Sequence, residues 1–256
     1  MKRFIPNRVG LLATVGIGLL MVPFIGLLIR TPWTRFAGDL SESGTAVRLS
    51  VVVSVSAALV AVALGVPLGW ALARGRFRGK GLVRAIVLLP IVLPPVVAGT
   101  ALLASLGRRG FVGSIIDDVF GVTFPFTTPG AIIAASFVAL PFVTLVAEAG
   151  FRAVDESHEE IAATLGAGSW RRFRRIALPK AAPALAAGAV LGWARALCEF
   201  GATVTFAGNL DGRTQTLPLA IFFELQSDPE AAFSLSLILV AVSVVVLVVA
   251  RRAWVR

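Results

Sequence analysis

The apolar residues of this chain fall into long, nearly uninterrupted blocks of about twenty, and this feature narrows the fold more than any other. A block of that length, wound as a helix at about 1.5 Å per residue, crosses the hydrocarbon core of a bilayer. A soluble core would instead need apolar residues at helical or strand spacing, with polar residues between them. Charge agrees: only 15% of the residues are charged, where a soluble domain carries about a quarter. Hydrophobic residues make up 57% of the chain and the mean hydropathy is +0.88. The expected fold is therefore all-α, a polytopic membrane protein of six transmembrane helices in one domain, 1–256. The spans are expected at about 10–29, 48–73, 82–106, 130–151, 183–206 and 232–250. The first block is too long for a signal-peptide core and no small-residue cleavage site follows it, so it is read as an uncleaved span.

Charge placement orients these spans. The chain has a net charge of +10, and its basic residues sit in the short connections. One set of connections, 1–9, 74–81, 152–182 and 251–256 together with Arg84, holds seventeen Lys and Arg residues, among them Lys2, Arg3, Arg8, Arg74, Arg251, Arg252 and Arg256. The other set holds six: Arg30, Arg35, Arg48, Arg108, Arg109 and Arg213. The positive-inside rule then puts both termini in the cytoplasm. Orientation accounts for the charge, so no nucleic-acid partner is expected.

Several chemistries are missing. Cys198 is the single cysteine and His158 the single histidine, so neither an internal disulfide nor a Cys/His metal cluster can form. The segment from Gly75 to Gly81 approaches a phosphate-binding loop but has the wrong first spacing and no Ser/Thr for magnesium. No catalytic residues and no metal or cofactor site are expected; any ATP and magnesium would be held by a partner.

Within the spans, Pro90, Pro94 and Pro95 cannot share a straight helix. Broken membrane helices line a cavity or pack on neighbours that satisfy the freed carbonyls, and the residues leave both roles open. Gly65–Gly69 and Gly188–Gly192 are GxxxG pairs suited to close helix approach.

The connection 152–182 reads as two short helices around a glycine. Ser157 and Glu160 fit a capping box, Gly166 fits the left-handed position that ends a helix, and Ser169 can cap a second helix, Trp170–Ile176, that stops before Pro179. Its four arginines could equally lay it on anionic lipid.

This stretch, with Glu160, Ala162, Ala163, Gly166, Ile176, Leu178 and Pro179 in order, resembles the "EAA" signature of binding-protein-dependent ABC importer permeases; Ile161 stands where alanine is usual. The resemblance implies the type I ABC importer permease fold and a coupling segment seated on a separate ATPase subunit. It further implies a homodimer in the cell membrane carrying two ATPase copies and served by an extracytoplasmic binding protein.

Residues 193–221, with Arg195, Glu199, Thr203, Asn209, Gly212 and Gln215, are similar to the molybdate/tungstate permease subfamily, as are Leu89–Val96, Gly107–Gly110 and Phe137–Phe142; Cys198 replaces a usual glycine. The resemblance covers about residues 45–250 and implies an oxyanion cargo. Sulfate/thiosulfate permeases are near relatives, and a secondary transporter without an ATPase is the alternative in a different class. Arg195 and Glu199 stand one turn apart inside a span, where charges are costly and functional by default, although an i,i+4 pair can be purely structural. Thr203, Thr205 and Asn209, expected to follow on the same helix, are pathway candidates with Pro94 and Pro95. Glu148 is expected to pair with Arg195 or Arg152.

Overall fold

The computed structural model describes residues 7–250. Lys2, Arg3, Arg251, Arg252 and Arg256, used above for orientation, lie outside them. Among the described residues there is no strand. The chain opens with α1 (Asn7–Arg30), α2 (Phe36–Glu42), α3 (Gly44–Arg74), α4 (Lys80–Val92), α5 (Pro95–Leu106), α6 (Gly113–Phe120) and α7 (Thr128–Ala153). There follow α8 (Ser157–Thr164), α9 (Ser169–Arg172), a π-helical turn Phe173–Ala177, α10 (Leu178–Leu197), α11 (Gly201–Phe206), α12 (Leu217–Ser227) and α13 (Pro229–Ala250). The stretches 30–47, 107–129 and 207–231 between the expected spans each contain a short helix: α2, α6 and α12.

Among the described residues, five helical segments are long and apolar enough to cross a membrane, and the bent pair α4–α5 makes a sixth if counted as one span. Two spans are not straight helices: one breaks at its prolines as expected, and the other breaks where no break was expected. That near 82–106 is bent by 118° between α4 and α5. That near 183–206 is interrupted at 198–200, between α10 and α11.

The core is a trio of α3, α7 and α10. It is built largely from small residues: Ala57, Ala61, Ala135, Ala139, Ala147 and Ala181 are almost wholly buried. Lipid is as apolar as leucine, so helices in a membrane gain by close contact rather than by escaping water. Both glycine pairs act here. A Cβ on Gly69 would lie 2.7 Å from Ala147 Cβ and 2.9 Å from the Thr144 carbonyl oxygen, and one on Gly192 would lie 2.4 Å from Val143 Cγ2. α7 is thus gripped from both sides by backbone. In contrast, α1 buries none of its apolar stretch, with Leu11, Leu12, Leu19 and Ile29 among its exposed side chains. It touches α13, which packs in turn on α2 and α12.

Candidate functional site: a docking hairpin and two broken spans

Residues 154–177 project from one end of the trio as a hairpin. Its start is fixed by Asp155, whose carboxylate accepts the Ser157 backbone N–H (3.0 Å) and hydroxyl (2.7 Å). These bonds hold the Asp155 carboxyl below the usual carboxylate range. The expected capping box does not form, because Asp155 reaches the free Ser157 amide first and no cap bond runs from a Ser157 or Glu160 side chain. α8 ends as expected at Gly166, with φ +82°. The Ala167 N–H donates to the Ala162 carbonyl (2.9 Å) and the Gly166 N–H to that of Ala163 (3.0 Å), the paired closure of a Schellman motif.

Ser169 is the first residue of α9 rather than its cap. The second helix also does not stop before Pro179. Pro179 has no N–H to offer the helix, and the chain absorbs this with a π turn in which the Leu178 N–H donates to the Phe173 carbonyl. The helix then runs on, so that Ser169–Leu197 is one segment of 29 residues.

The hairpin is fastened to α3 by its last residue. Arg74 Nε donates to Glu159 Oε1 (3.0 Å), its Nη1 to Glu156 Oε1 (2.9 Å) and its Nη2 to the Val154 carbonyl (2.7 Å). The other Glu159 oxygen accepts from Trp70 Nε1 (3.3 Å). Phe173 fills the space beneath, 5.1 Å from the Trp70 ring and 5.5 Å from Trp170. Glu159 is buried while Glu160 beside it is exposed. Sequence reading missed Glu159, Arg74 and Trp70. The only hint was an arginine at a span end and two adjacent glutamates, one of which must face inward on a packed helix.

The motif residues therefore divide. Glu160, Ala163 and Gly166 lie exposed on the hairpin, together with Ile161, Leu165 and Trp170, whose apolar side chains are 59%, 83% and 68% exposed. Ala162 is half-buried. Ile176 and Leu178 are half-buried in the stem, and Pro179 is exposed beside them. The hairpin so presents a carboxylate ringed by unsatisfied apolar surface, a composition suited to protein contact.

Deeper in the bundle lie the two breaks. At the first, Leu93 and Pro94 are extended (ψ 136° at both), and Pro95 opens α5. Each of these two residues precedes a proline, which disfavours helical ψ. At the second, Phe200 leaves the helix (φ −126°, ψ −59°) and α11 restarts with the Glu199 carboxylate accepting the Ala202 N–H (2.8 Å). Arg195 Nη2 stands 2.8 Å from the other oxygen, Oε2. That contact is an ion pair and not an aligned hydrogen bond, since Oε2 has no hydrogen-bond partner.

The breaks meet. A Cβ on Gly201 would lie 2.6 Å from Pro95 Cβ, and one on Gly99 would lie 2.6 Å from Thr205 Cβ. So Pro94, Pro95, Arg195, Glu199 and Thr205 belong to one neighbourhood. Thr203 is buried there. The Thr205 hydroxyl donates to the Gly201 carbonyl (2.8 Å), so its proton is committed within α11. None of Thr203, Thr205 and Asn209 is on the same helix as Arg195: the threonines lie on α11, beyond the break, and Asn209 lies past the end of α11, its Oδ1 buried without a partner. Glu148 does not meet Arg195 either. It pairs with Arg152 (2.7 Å) and with Arg84, tying α4 to α7.

A bent span, a second interrupted one, a small-residue trio and an exposed hairpin define a multi-pass cell-membrane protein of the type I ABC importer permease fold. Solved structures share it. A bacterial ABC transporter involved in the import of the acidic polysaccharide alginate superposes with TM-score 0.73 at 20% identity, covering 96% of this chain and 94% of that one. The MetNI methionine ABC transporter, in inward-facing form, gives 0.57 at 17% identity over 90% and 95%. Residues 65–255 match the family "Binding-protein-dependent transport system inner membrane component", and the chain belongs to that family. Among its relatives, the molybdenum transport system permease protein ModB of Mycobacterium tuberculosis is 41% identical over 244 residues, spanning 94% of this chain and 92% of the relative. The ModB protein of Escherichia coli K12 is 42% identical over 161 residues, 63% of this chain and 70% of its own.

Proposed function

We propose that this chain is the membrane-spanning subunit of an ATP-driven importer of molybdate, or of its near twin tungstate. The observation that carries the reading is the 41% identity to a molybdenum transport permease, sustained across 94% of the chain. In this reading two copies form the pathway and both termini are cytoplasmic, in keeping with the bias of seventeen basic residues against six. Each hairpin seats on one of two ATPase subunits, which hold ATP and magnesium; this chain binds no cofactor of its own. An extracytoplasmic binding protein delivers the oxyanion, as a periplasmic protein accompanies the alginate transporter.

The coupling residues would be Glu160, Ala162, Ala163 and Gly166 on the hairpin, with Ile176, Leu178 and Pro179 in its stem. ATP binding favours the state in which the ATPases close; the hairpins follow, and the bundle shifts between inward and outward openings. Arg195, Glu199, Thr203, Thr205, Asn209, Pro94 and Pro95 line or support the pathway. Arg195, held by Glu199, offers a muted positive potential, enough to admit a dianion without trapping it.

The test is uptake of labelled molybdate and sulfate by vesicles containing the reconstituted complex. Molybdate should be imported in preference to sulfate, and only with ATP. Glu160→Ala should cut uptake at least tenfold while leaving the melting temperature unchanged, because the side chain is exposed. A preference for sulfate would move the cargo to the related oxyanion; uptake without any co-purifying ATPase would reject the importer class.

A further inference from the structure

At the end of the bundle away from the hairpin is a cleft whose charge opposes that of the molecule. It lies between α2, the start of α3, α12 and the first turns of α13, with a volume of about 280 Å³. The chain as a whole carries +10, yet this cleft is lined by five carboxylates, Asp39, Glu42, Asp211, Glu224 and Asp228, and one guanidinium, Arg35.

Arg35 is already engaged. It donates to Asp228 Oδ2 (2.7 Å) and Asp39 Oδ1 (3.2 Å), and lies 3.6 Å from Glu230. The hydrogen bond with Asp228 raises the Arg35 pKa and holds the Asp228 carboxyl below its ordinary range, so both stay charged. Glu42, Asp211 and Glu224 have no ion-pair partner among the described residues. The most informative group is Asp39, only 7% exposed, whose Oδ2 is buried against the cleft without a hydrogen-bond partner. A buried polar atom left unsatisfied calls for a donor from elsewhere. Among the described residues no three Asp, Glu, His or Cys side chains are grouped to hold a metal ion. With five carboxylates facing one guanidinium, the donor that suits the site is a cationic N–H group.

Building on the importer reading above, we propose that this cleft receives a lysine or arginine side chain of the binding protein that carries the oxyanion. A free dianion approaching here meets net negative charge and is repelled, whereas a basic side chain is drawn towards the unpaired carboxylates of Glu42, Asp211 and Glu224. The cleft would thus discriminate the loaded carrier from its cargo.

The test uses the complete transporter in nanodiscs, titrated with molybdate-loaded binding protein. The variant Glu42→Gln/Asp211→Asn/Glu224→Gln leaves the Arg35 bridges to Asp39 and Asp228 intact. It should dock at least tenfold more weakly, with a shallower dependence of affinity on salt, while still assembling with the ATPase. Docking within twofold of wild type and an unchanged salt slope would overturn the proposal. If the triple variant does not assemble, Glu42→Gln and Asp211→Asn alone should each weaken docking about threefold, and no loss in either would overturn it. A wild-type chain that neither holds an ATPase nor docks any binding protein would instead sink the importer reading itself.

Discussion

The two broken spans reach the same outcome by different means. Between α4 and α5 the chain is broken locally: Pro94 and Pro95 remove two donors and force extended backbone before each ring. Between α10 and α11 the break itself, residues 198–200, contains no proline. There the helix ends because a charged side chain does what the backbone would have done, Glu199 taking the Ala202 amide while Arg195 balances its charge. A covalently imposed break survives most neighbouring changes. A break imposed by one buried carboxylate depends on that carboxylate and on what it packs against, which is the reason to look for movement at the second and rigidity at the first.

Three single substitutions and one double variant separate these cases. The largest effect should come from Arg195→Leu, which strands the nearly inaccessible Glu199 charge. Removing one member of a buried pair costs about 3–5 kcal/mol, so thermal unfolding of the purified subunit should drop sharply and uptake should vanish. Replacing both Arg195 and Glu199 by leucine should recover only part of the stability, since the buried Ala202 N–H loses its acceptor, and should not recover transport; a single Arg195→Leu that melts like wild type would show that the pair does not hold the break. Next is Gly201→Ala, which drives a methyl into Pro95 at 2.6 Å. Overpacking costs about 1–3 kcal/mol, and because it pries the two breaks apart, uptake should fall further than stability does. The smallest effect belongs to Pro94→Ala, since Pro95 still forbids helix at the residue before it. A loss of under about 1 kcal/mol and uptake within twofold are expected, and a large loss would mean that the first break is as delicate as the second.

What could be read in advance follows the same division. Features set by one or two residues were legible: Gly166 at φ +82°, the proline break, and the glycine pairs against α7. Features set by pairs distant in sequence were not. The Arg74–Glu159 fastening joins residues 85 apart, and nothing local distinguishes Glu159 from Glu160 except which of them faces α3. The Glu148 partner was half legible: Arg152 lies one turn away, but Arg84 comes from another helix. Where two local signals competed, the nearer prevailed, as when Asp155 took the amide that Ser157 and Glu160 were expected to share. The break at 198–200 escaped notice because a glutamate within an apolar block announces cost, not geometry.

The π turn at Phe173–Ala177 has a mechanical consequence. By absorbing Pro179 without stopping the helix, it makes Ser169–Leu197 a continuous strut of 29 residues, about 40 Å at helical rise. The exposed hairpin and the break at Glu199 are thus the two ends of one helical segment, with the Arg195–Glu199 ion pair at the far end.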